Sequence, residues 1–216
     1  MKRALIITGG TLNLEFAREY IRNLSYDCTI AVDNGLMYID QLGLRPDVIV
    51  GDFDTASYDL VKKYRNMDCI TILELVPEKD ETDTETAVDY TIRMGYDEVI
   101  FLGAMGGRFD HTLGNLHMLY RLLQQKIQGI MVDEKNRISL SSSSLSLRKE
   151  ELFGTYVSLI PFTQQVEKLT LKGFKYPLWD FLLQSGVSIG ISNEVVEEKC
   201  EISFEQGILI LIEAHD

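Results

Sequence analysis

Two aspartates, Asp52 and Asp54, lie one residue apart directly after the apolar residues 48–50 and Gly51. In an extended chain, side chains two residues apart point to the same side, so these carboxylates repel each other unless a cation joins them. Mg²⁺ is usually held by one or two carboxylates together with the phosphate oxygens of a substrate. A solvated turn is the alternative for such a pair, but its position after an apolar run favours a metal site.

A second acidic cluster occupies residues 78–85, which read Glu-Lys-Asp-Glu-Thr-Asp-Thr-Glu. Thr82 and Glu85 have the spacing of a capping box, so we assign Glu85 to the start of a helix rather than to a ligand. Asp80 and Asp83 are candidates for further metal ligands or their supports, although the helix dipole also favours Asp83 in a first turn. Lys79 has the charge to contact a phosphate.

A glycine-rich stretch with charged residues follows at positions 103–115. Glycines permit a ligand to approach the backbone closely, and an arginine can fork onto phosphate oxygens. A helix that begins near Asp110 would direct its N-terminus to the same place, with Asp110 as either its N-cap or a functional carboxylate. The spacing is neither that of the dinucleotide fingerprint nor that of a P-loop. The candidate phosphate-binding residues here are Gly106, Gly107, Arg108 and His111.

The elements that must position these clusters form an alternating series. Apolar runs that begin near residues 3, 28, 47, 69, 98 and 127 are typical of strands, and helical spacing follows the first, third, fourth and fifth of them. This alternation predicts the α/β class, with a mostly parallel, Rossmann-like sheet that helices cover on both faces. Ligands of such sheets bind beyond the carboxyl ends of the strands, where the three clusters would converge. The turn after the second strand adds Asp33, Asn34 and Gly35.

The pattern changes at about residue 139, where short runs of alternating apolar and polar residues replace the helical spacing. These runs are typical of antiparallel strands. Gln206 and Gly207 stand between the last two runs and predict a hairpin turn. We therefore predict two domains, an α/β domain at residues 1–138 and a small all-β domain at residues 139–216.

Composition narrows the class of function. The formal net charge of −12 disfavours general binding of nucleic acid, because phosphates would be repelled. The three cysteines are scattered and form no C-x-x-C motif, which suggests reduced thiols and a cytoplasmic protein. No apolar segment approaches the length that spans a bilayer, and the N-terminal apolar run is too short for a signal peptide. The residues thus indicate Mg²⁺-dependent phosphoryl-type transfer from a nucleotide, without naming the acceptor.

The ordered series of motifs resembles the thiamine pyrophosphokinase family over nearly the whole chain. The matching stretches are Asp33-Asn34-Gly35, Pro46-Asp47 with Gly51-Asp52-Phe53-Asp54, residues 78–85 and Gly106-Gly107-Arg108-x-Asp110-His111, followed by VSLIPF, GFKYPL and ISNE in the second domain. The resemblance implies transfer of the pyrophosphoryl group of ATP to the hydroxyl of thiamine, which gives thiamine diphosphate and AMP. It also implies a C-terminal β-sandwich and a homodimer that binds thiamine at the subunit interface.

The resemblance also implies roles for individual residues. Asp52, Asp54 and Asp83 would be the magnesium ligands, and Asp80 would support them. The nucleotide would be bound by Asp33, Asn34, Gly35, Lys79, Gly106, Gly107, Arg108 and His111. Asp110 would lie near the reacting hydroxyl, with Ser192 and Asn193 on the thiamine side. Tyr176 stands where animal and fungal members have a tryptophan, so either Tyr176 or the nearby Trp179 would cover thiamine.

Two rival functions remain open at this point. A D-x-D pair after a strand also occurs in metal-dependent transferases that use sugar nucleotides, although the groups around Lys79 and Arg108 favour the kinase. A nucleotide-sensing module without catalysis is the second rival. Three acidic loops on one metal are more than a sensor requires.

Overall fold

The computed structural model describes residues 1–52, 58–75 and 80–216, and the chain falls into two units, Met1–Glu134 and Lys135–Asp216. Two of the predicted site residues, Asp54 and Lys79, lie outside the described residues. The domain boundary predicted between residues 138 and 139 falls inside the strand Asn136–Ser141.

The N-terminal unit is an α/β domain. Its described elements, in chain order, are β1 (Arg3–Ile7), α1 (Leu14–Arg22), β2 (Cys28–Val32), α2 (Gly35–Leu42), β3 (Val48–Gly51), α3 (Tyr58–Arg65), β4 (Thr71–Glu74), α4 (Asp83–Arg93), β5 (Glu98–Leu102), α5 (Phe109–Gln124) and β6 (Gln128–Val132). The strands lie in the order β6-β5-β1-β2-β3-β4, and each neighbouring pair is parallel. All their carboxyl ends therefore meet at one edge of the sheet.

The central strands of this sheet are buried along their whole length. Every residue of β2, β3 and β5 is buried, as are the last four residues of β1. Strands covered on both faces need apolar side chains at successive positions, which is the continuous pattern that the sequence shows. Polar residues begin where the strands end, at Thr8, Asp33 and Asp52, so the sheet delivers them to its carboxyl edge.

The short helix α2 was not predicted from the sequence. It begins at Gly35 and ends before Gly43, whose φ of 70° gives the left-handed C-cap common at helix ends. A Cβ atom on Gly35 would lie 1.9 Å from the carbonyl oxygen of Ile7, so only glycine lets α2 begin this close to β1. Leu36 and Ile39 anchor the helix because both side chains are buried.

The C-terminal unit is a β domain of two antiparallel sheets. Its described strands are β7 (Asn136–Ser141), β8 (Leu145–Arg148), β9 (Tyr156–Pro161), β10 (Gln165–Lys172), β11 (Leu178–Gln184), β12 (Asn193–Glu194), β13 (Lys199–Ser203) and β14 (Leu209–Ala214). One group pairs in the order β12-β9-β14-β7 and the other in the order β11-β10-β13-β8. Strands of both groups supply the core of this domain, for example Leu159 of β9, Leu169 of β10 and Leu211 of β14.

The predicted hairpin at Gln206 and Gly207 is wrong. The strands on either side of it belong to different sheets, since β13 pairs with β8 and β10, whereas β14 pairs with β7 and β9. The segment instead crosses between the sheets, and Gln206 makes an isolated bridge with Glu167. A Cβ atom on Gly207, whose φ is 106°, would lie 2.5 Å from the carbonyl oxygen of Gln165, so the glycine serves this crossing.

The helices of the described residues include none that is long and apolar enough to cross a membrane.

Candidate active site

A cleft of about 500 Å³ opens in the N-terminal unit beyond the carboxyl ends of β1, β2 and β5. The N-terminus of α5 also faces this cleft, which adds backbone N–H groups and the positive end of a helix dipole. Its lining brings together six of the residues predicted from the sequence, namely Asp33, Asn34, Gly106, Gly107, Arg108 and His111. These six residues come from two stretches that are far apart in the chain, residues 33–34 and 106–111, so parallel strand pairing is what brings them together.

Asp33 enters the cleft with an unusual backbone conformation. Its φ is 49°, in the left-handed region that aspartate tolerates better than most residues. Its N–H donates to the carbonyl oxygen of Val50 at 2.9 Å, and its own carbonyl accepts from Leu36 at 3.1 Å. These bonds tie the end of β2 to β3 on one side and to α2 on the other. Backbone of this kind is common where a site needs a fixed turn.

Arg108 and Asp110 form an ion pair at the start of α5. The Arg108 Nη2–Asp110 Oδ2 distance is 2.6 Å and the Arg108 Nε–Asp110 Oδ1 distance is 3.2 Å. The hydrogen bonds from Arg108 hold the pKa of the Asp110 carboxyl below its usual value, and the same contacts raise the pKa of Arg108. Asp110 is not the N-cap of α5, because Arg108 occupies that position and Asp110 lies in the first turn. Both side chains are exposed, which leaves them accessible to a ligand.

The start of α4 is held from two sides. The Thr82 hydroxyl accepts a hydrogen bond from the Glu85 N–H at 3.1 Å, which is half of the predicted capping box. The Glu85 carboxylate turns to α5 instead, where it accepts from Nη1 of Arg121 at 2.9 Å. Arg121 also forks onto Asp89, with both N–O distances 2.7 Å. Glu85 and Asp89 lie one turn apart on α4, so Arg121 neutralises their repulsion and fastens α4 to α5.

The described members of the predicted metal set are Asp52, Asp80 and Asp83. Asp52 is exposed directly after β3, Asp80 is exposed, and Asp83 is the first residue of α4, which packs against β3. Within residues 1–52, 58–75 and 80–216, no group of three or more acidic, histidine or cysteine side chains is close enough to hold a metal ion. The carboxylates nonetheless fit Mg²⁺, since that ion takes one or two carboxylates and fills its remaining positions with phosphate oxygens and water.

Several residues that line the cleft were not predicted from the sequence. Thr8 follows β1 directly, Tyr38 lies on the unpredicted helix α2, and Thr84 is the second residue of α4. Thr8 and Thr84 could have been found from their positions after a strand and beside the acidic cluster. No sequence signal pointed to Tyr38, because its place in the site depends on how α2 packs.

In the C-terminal unit, Asn193 is joined to Tyr176. The side-chain amide of Asn193 accepts from the Tyr176 N–H at 3.0 Å and donates to the Tyr176 carbonyl at 2.8 Å. Asn193 is buried, whereas the ring of Tyr176 is exposed. Ser192, which precedes Asn193, has a φ of 53°, and the Ser192 N–H donates to the hydroxyl of Ser158 at 2.9 Å. Asn193 therefore positions the backbone that presents Tyr176.

A lone tryptophan in a β domain usually belongs to the core, but Trp179 is exposed. Its side chain is 65% exposed on β11, close in sequence to the exposed Tyr176. Both aromatic rings are thus available at the surface of the C-terminal unit.

The two units define a class of protein: a parallel α/β domain with a cleft beyond the carboxyl ends of its strands, followed by an antiparallel β domain. Two family models match the chain, "Thiamin pyrophosphokinase, catalytic domain" over residues 20–131 and "Thiamin pyrophosphokinase, vitamin B1 binding domain" over residues 142–209. The chain belongs to the thiamine pyrophosphokinase family.

Individual relatives agree with this membership. The thiamine pyrophosphokinase of Bacillus subtilis (strain 168) is 33% identical over 223 residues, which covers 100% of both chains. The crystal structure of thiamine pyrophosphokinase from Bacillus subtilis superposes with a TM-score of 0.88 at 30% identity, again over 100% of both chains. That of thiamin pyrophosphokinase from Geobacillus thermodenitrificans gives a TM-score of 0.85 at 30% identity over 99% of this chain and 98% of the other.

Proposed function

We propose that the protein transfers the pyrophosphoryl group of ATP to the hydroxyl of thiamine, giving thiamine diphosphate and AMP. The observation that carries this proposal is the family match over both domains, catalytic and vitamin B1 binding. In this proposal the N-terminal domain, residues 1–138, binds Mg-ATP, and the C-terminal domain, residues 139–216, binds thiamine. The cleft beyond the strands of the N-terminal unit supports the first of these roles.

The phosphate chain of ATP is assigned to the glycine-rich side of the cleft. Gly106 and Gly107, with φ values of 80° and 75°, present a backbone without side chains beside Arg108 and His111. The N-terminus of α5 favours an anion at the same place. Asp33, Asn34 and Gly35 form the turn on the opposite side, and Lys79 is proposed as a further phosphate contact from the sequence alone.

The carboxylates proposed as magnesium ligands are Asp52, Asp54 and Asp83, with Asp80 as their support. When bound, Mg²⁺ neutralises charge on the phosphate oxygens and orients them for displacement. The contribution of this chain is to hold the Asp52 carboxylate directly after β3 and the Asp83 carboxylate at the start of α4, two elements that pack against each other. The ion pair between Arg121 and Glu85 fixes the first turn of α4, which carries Asp83.

The acceptor is assigned to the other side of the phosphate chain. The thiamine oxygen attacks the β-phosphorus and AMP leaves, so positioning and electrostatic stabilisation supply most of the rate. Asp110 is proposed to accept the hydroxyl proton, because a carboxylate is ionised at neutral pH. The hydrogen bonds from Arg108 hold its pKa below the usual value. Ser192, Asn193 and the ring of Tyr176 are proposed to contact thiamine.

The nucleotide product tests this proposal. We expect AMP to form from ATP only when both thiamine and Mg²⁺ are present, in amounts equal to the thiamine diphosphate produced. Chromatography of the nucleotides separates AMP from ADP. Formation of ADP would mean transfer of a single phosphoryl group and would overturn the proposal, and so would thiamine-independent release of AMP.

We further propose that the protein acts as a homodimer with thiamine at the subunit interface. The support is a set of exposed apolar side chains on the C-terminal unit, namely Trp179, Leu182, Val187, Ile189 and Ile191. A second copy of the chain that covered these side chains would remove apolar surface from water.

We also propose that the protein works in the reducing cytoplasm. All three cysteines are free and two of them are buried, which is compatible with that compartment.

Sedimentation analysis tests the dimer. We expect a dimer for the wild-type protein and a monomer for Leu182→Glu, because a buried, unpaired carboxylate strongly opposes association. Met94→Glu is the matched control, since Met94 is 48% exposed on the N-terminal unit and Leu182 is 45% exposed. A wild-type protein that stays monomeric at the concentrations used for activity would contradict the proposal.

A further inference from the structure

Three side chains that line the cleft donate hydrogen bonds to carbonyl oxygens of its two glycine loops. The Thr8 hydroxyl donates to the Gly103 carbonyl at 2.5 Å, the Tyr38 hydroxyl to the Gly10 carbonyl at 2.9 Å, and the Asn115 amide to the Ala104 carbonyl at 2.9 Å. The donors come from three different places, the end of β1, the middle of α2 and the second turn of α5. The acceptors all belong to the loops that follow β1 and β5.

The two loops touch each other closely. A Cβ atom on Gly10 would lie 2.2 Å from the carbonyl oxygen of Gly103, and one on Gly106 would lie 2.8 Å from Cβ of Thr11. A rotation of one peptide would therefore displace the other loop. The three hydrogen bonds consequently act on one continuous wall of the cleft.

The direction of a carbonyl group also sets the direction of an N–H group. In a trans peptide the two bonds lie in one plane and point opposite ways. The bond from Tyr38 to Gly10 therefore orients the N–H of Thr11, and the bond from Thr8 to Gly103 orients the N–H of Ala104. The bond from Asn115 orients the N–H of the peptide that follows Ala104.

This orientation matters for an anionic ligand. Every peptide offers a partly positive N–H group, which attracts phosphate, and a partly negative carbonyl oxygen, which repels it. A wall of unrestrained glycine peptides could turn either group to the ligand, since glycine has little preference among backbone conformations. A side-chain donor on the carbonyl removes that choice.

We propose that Tyr38 and Asn115 are positioning residues that hold the loop peptides in the orientation that binds the phosphate chain of ATP. The inference rests on the proposed function for the identity of the ligand. It predicts that loss of either hydrogen bond weakens the binding of ligands that carry phosphates. Binding of a nucleoside without phosphates should not change, because the two bonds orient only the loop peptides proposed to contact phosphate. Thr8 makes the equivalent bond from a buried position, where its removal would also disturb the sheet.

Binding measurements with two ligands test the inference. The α,β-methylene analogue of ATP carries the phosphates but cannot be cleaved at the transferred bond, and adenosine lacks the phosphates. We expect Tyr38→Phe and Asn115→Ala each to weaken binding of the analogue roughly fivefold, the usual effect of one neutral hydrogen bond, while adenosine binds as before. In steady-state assays the KM for ATP should rise and the KM for thiamine should not.

Tyr64→Phe is the matched control. Like Tyr38, Tyr64 donates one hydrogen bond through its hydroxyl, in this case to the carboxylate of Asp40 at 2.9 Å. Tyr64 does not line the cleft. It should leave binding of both ligands unchanged. Equal affinity of Tyr38→Phe and wild type for the analogue would overturn the inference, and so would an equal loss for adenosine. If the Tyr38 effect is found but the wild type forms no AMP with thiamine, the proposed function fails and the positioning role stands.

Discussion

Asp52→Asn is expected to lower kcat/KM by about a thousandfold, because it removes a carboxylate proposed to hold Mg²⁺ against the phosphates of ATP. Asp52 follows the buried strand β3 and is itself exposed, so the amide should fit without disturbing the core. The half-saturating Mg²⁺ concentration should rise in the same variant. Thiamine-dependent AMP formation, measured over a series of Mg²⁺ concentrations, gives both kcat/KM and the half-saturating Mg²⁺ concentration. Asp54→Asn should behave in the same way, as the sequence motif implies.

Asp68→Asn is the control for this prediction. It changes the charge by the same amount on an exposed aspartate, but Asp68 lies before β4, at the amino-terminal edge of the sheet. We expect wild-type kinetics from it, and unfolding temperatures close to wild type for all three variants. A near-normal rate and Mg²⁺ dependence in Asp52→Asn would show that the metal assignment is wrong.

Arg108→Met is expected to lower kcat/KM about a hundredfold, since it removes a donor proposed to contact the phosphates. It should also change the pH dependence, because Arg108 holds the pKa of Asp110 below its usual value. Without the guanidinium that pKa rises towards the usual range, and Asp110 is protonated at a higher pH. The acid limb of the pH–rate profile should therefore move to higher pH, while the rate near pH 7 reflects mainly the lost phosphate contact.

Two further variants separate these effects. Arg108→Lys keeps a positive charge near Asp110, so the acid limb of the pH–rate profile should return most of the way to its wild-type position. A lysine cannot fork onto a phosphate, so kcat/KM should recover less than the acid limb does. Arg22→Met removes an exposed arginine from the last turn of α1 and should change neither quantity. An acid limb that does not move in Arg108→Met would argue against Asp110 as the proton acceptor.

The strands of the N-terminal unit were predictable because their apolar runs are continuous and end in polar residues. The helix α2 was not, because eight residues of mixed composition between two strands carry too little periodic signal. Its start at Gly35 depends on a close approach to Ile7, which lies 28 positions earlier in the sequence. Such a contact is a property of the packed domain and leaves no mark in the local pattern.

The C-terminal unit shows the same limit for strands. Alternating runs correctly indicated antiparallel structure, but the alternation is identical whichever strand becomes the neighbour. The pattern around Gln206 and Gly207 therefore suggested a hairpin, although the flanking strands join different sheets. Pairing between strands is decided by the whole core, to which both sheets contribute.

The sequence by itself determined which polar residues could meet. Parallel strands place all their carboxyl ends at one edge, so clusters that follow successive strands must converge there, as Asp33, Gly106 and Arg108 do. Only the tertiary structure decided which groups bind each other across elements: Glu85 and Asp89 to Arg121, and the Gly10 carbonyl to Tyr38. A hydrogen bond requires a separation of about 3 Å and a suitable angle, and that geometry is set by packing between elements rather than by spacing along the chain.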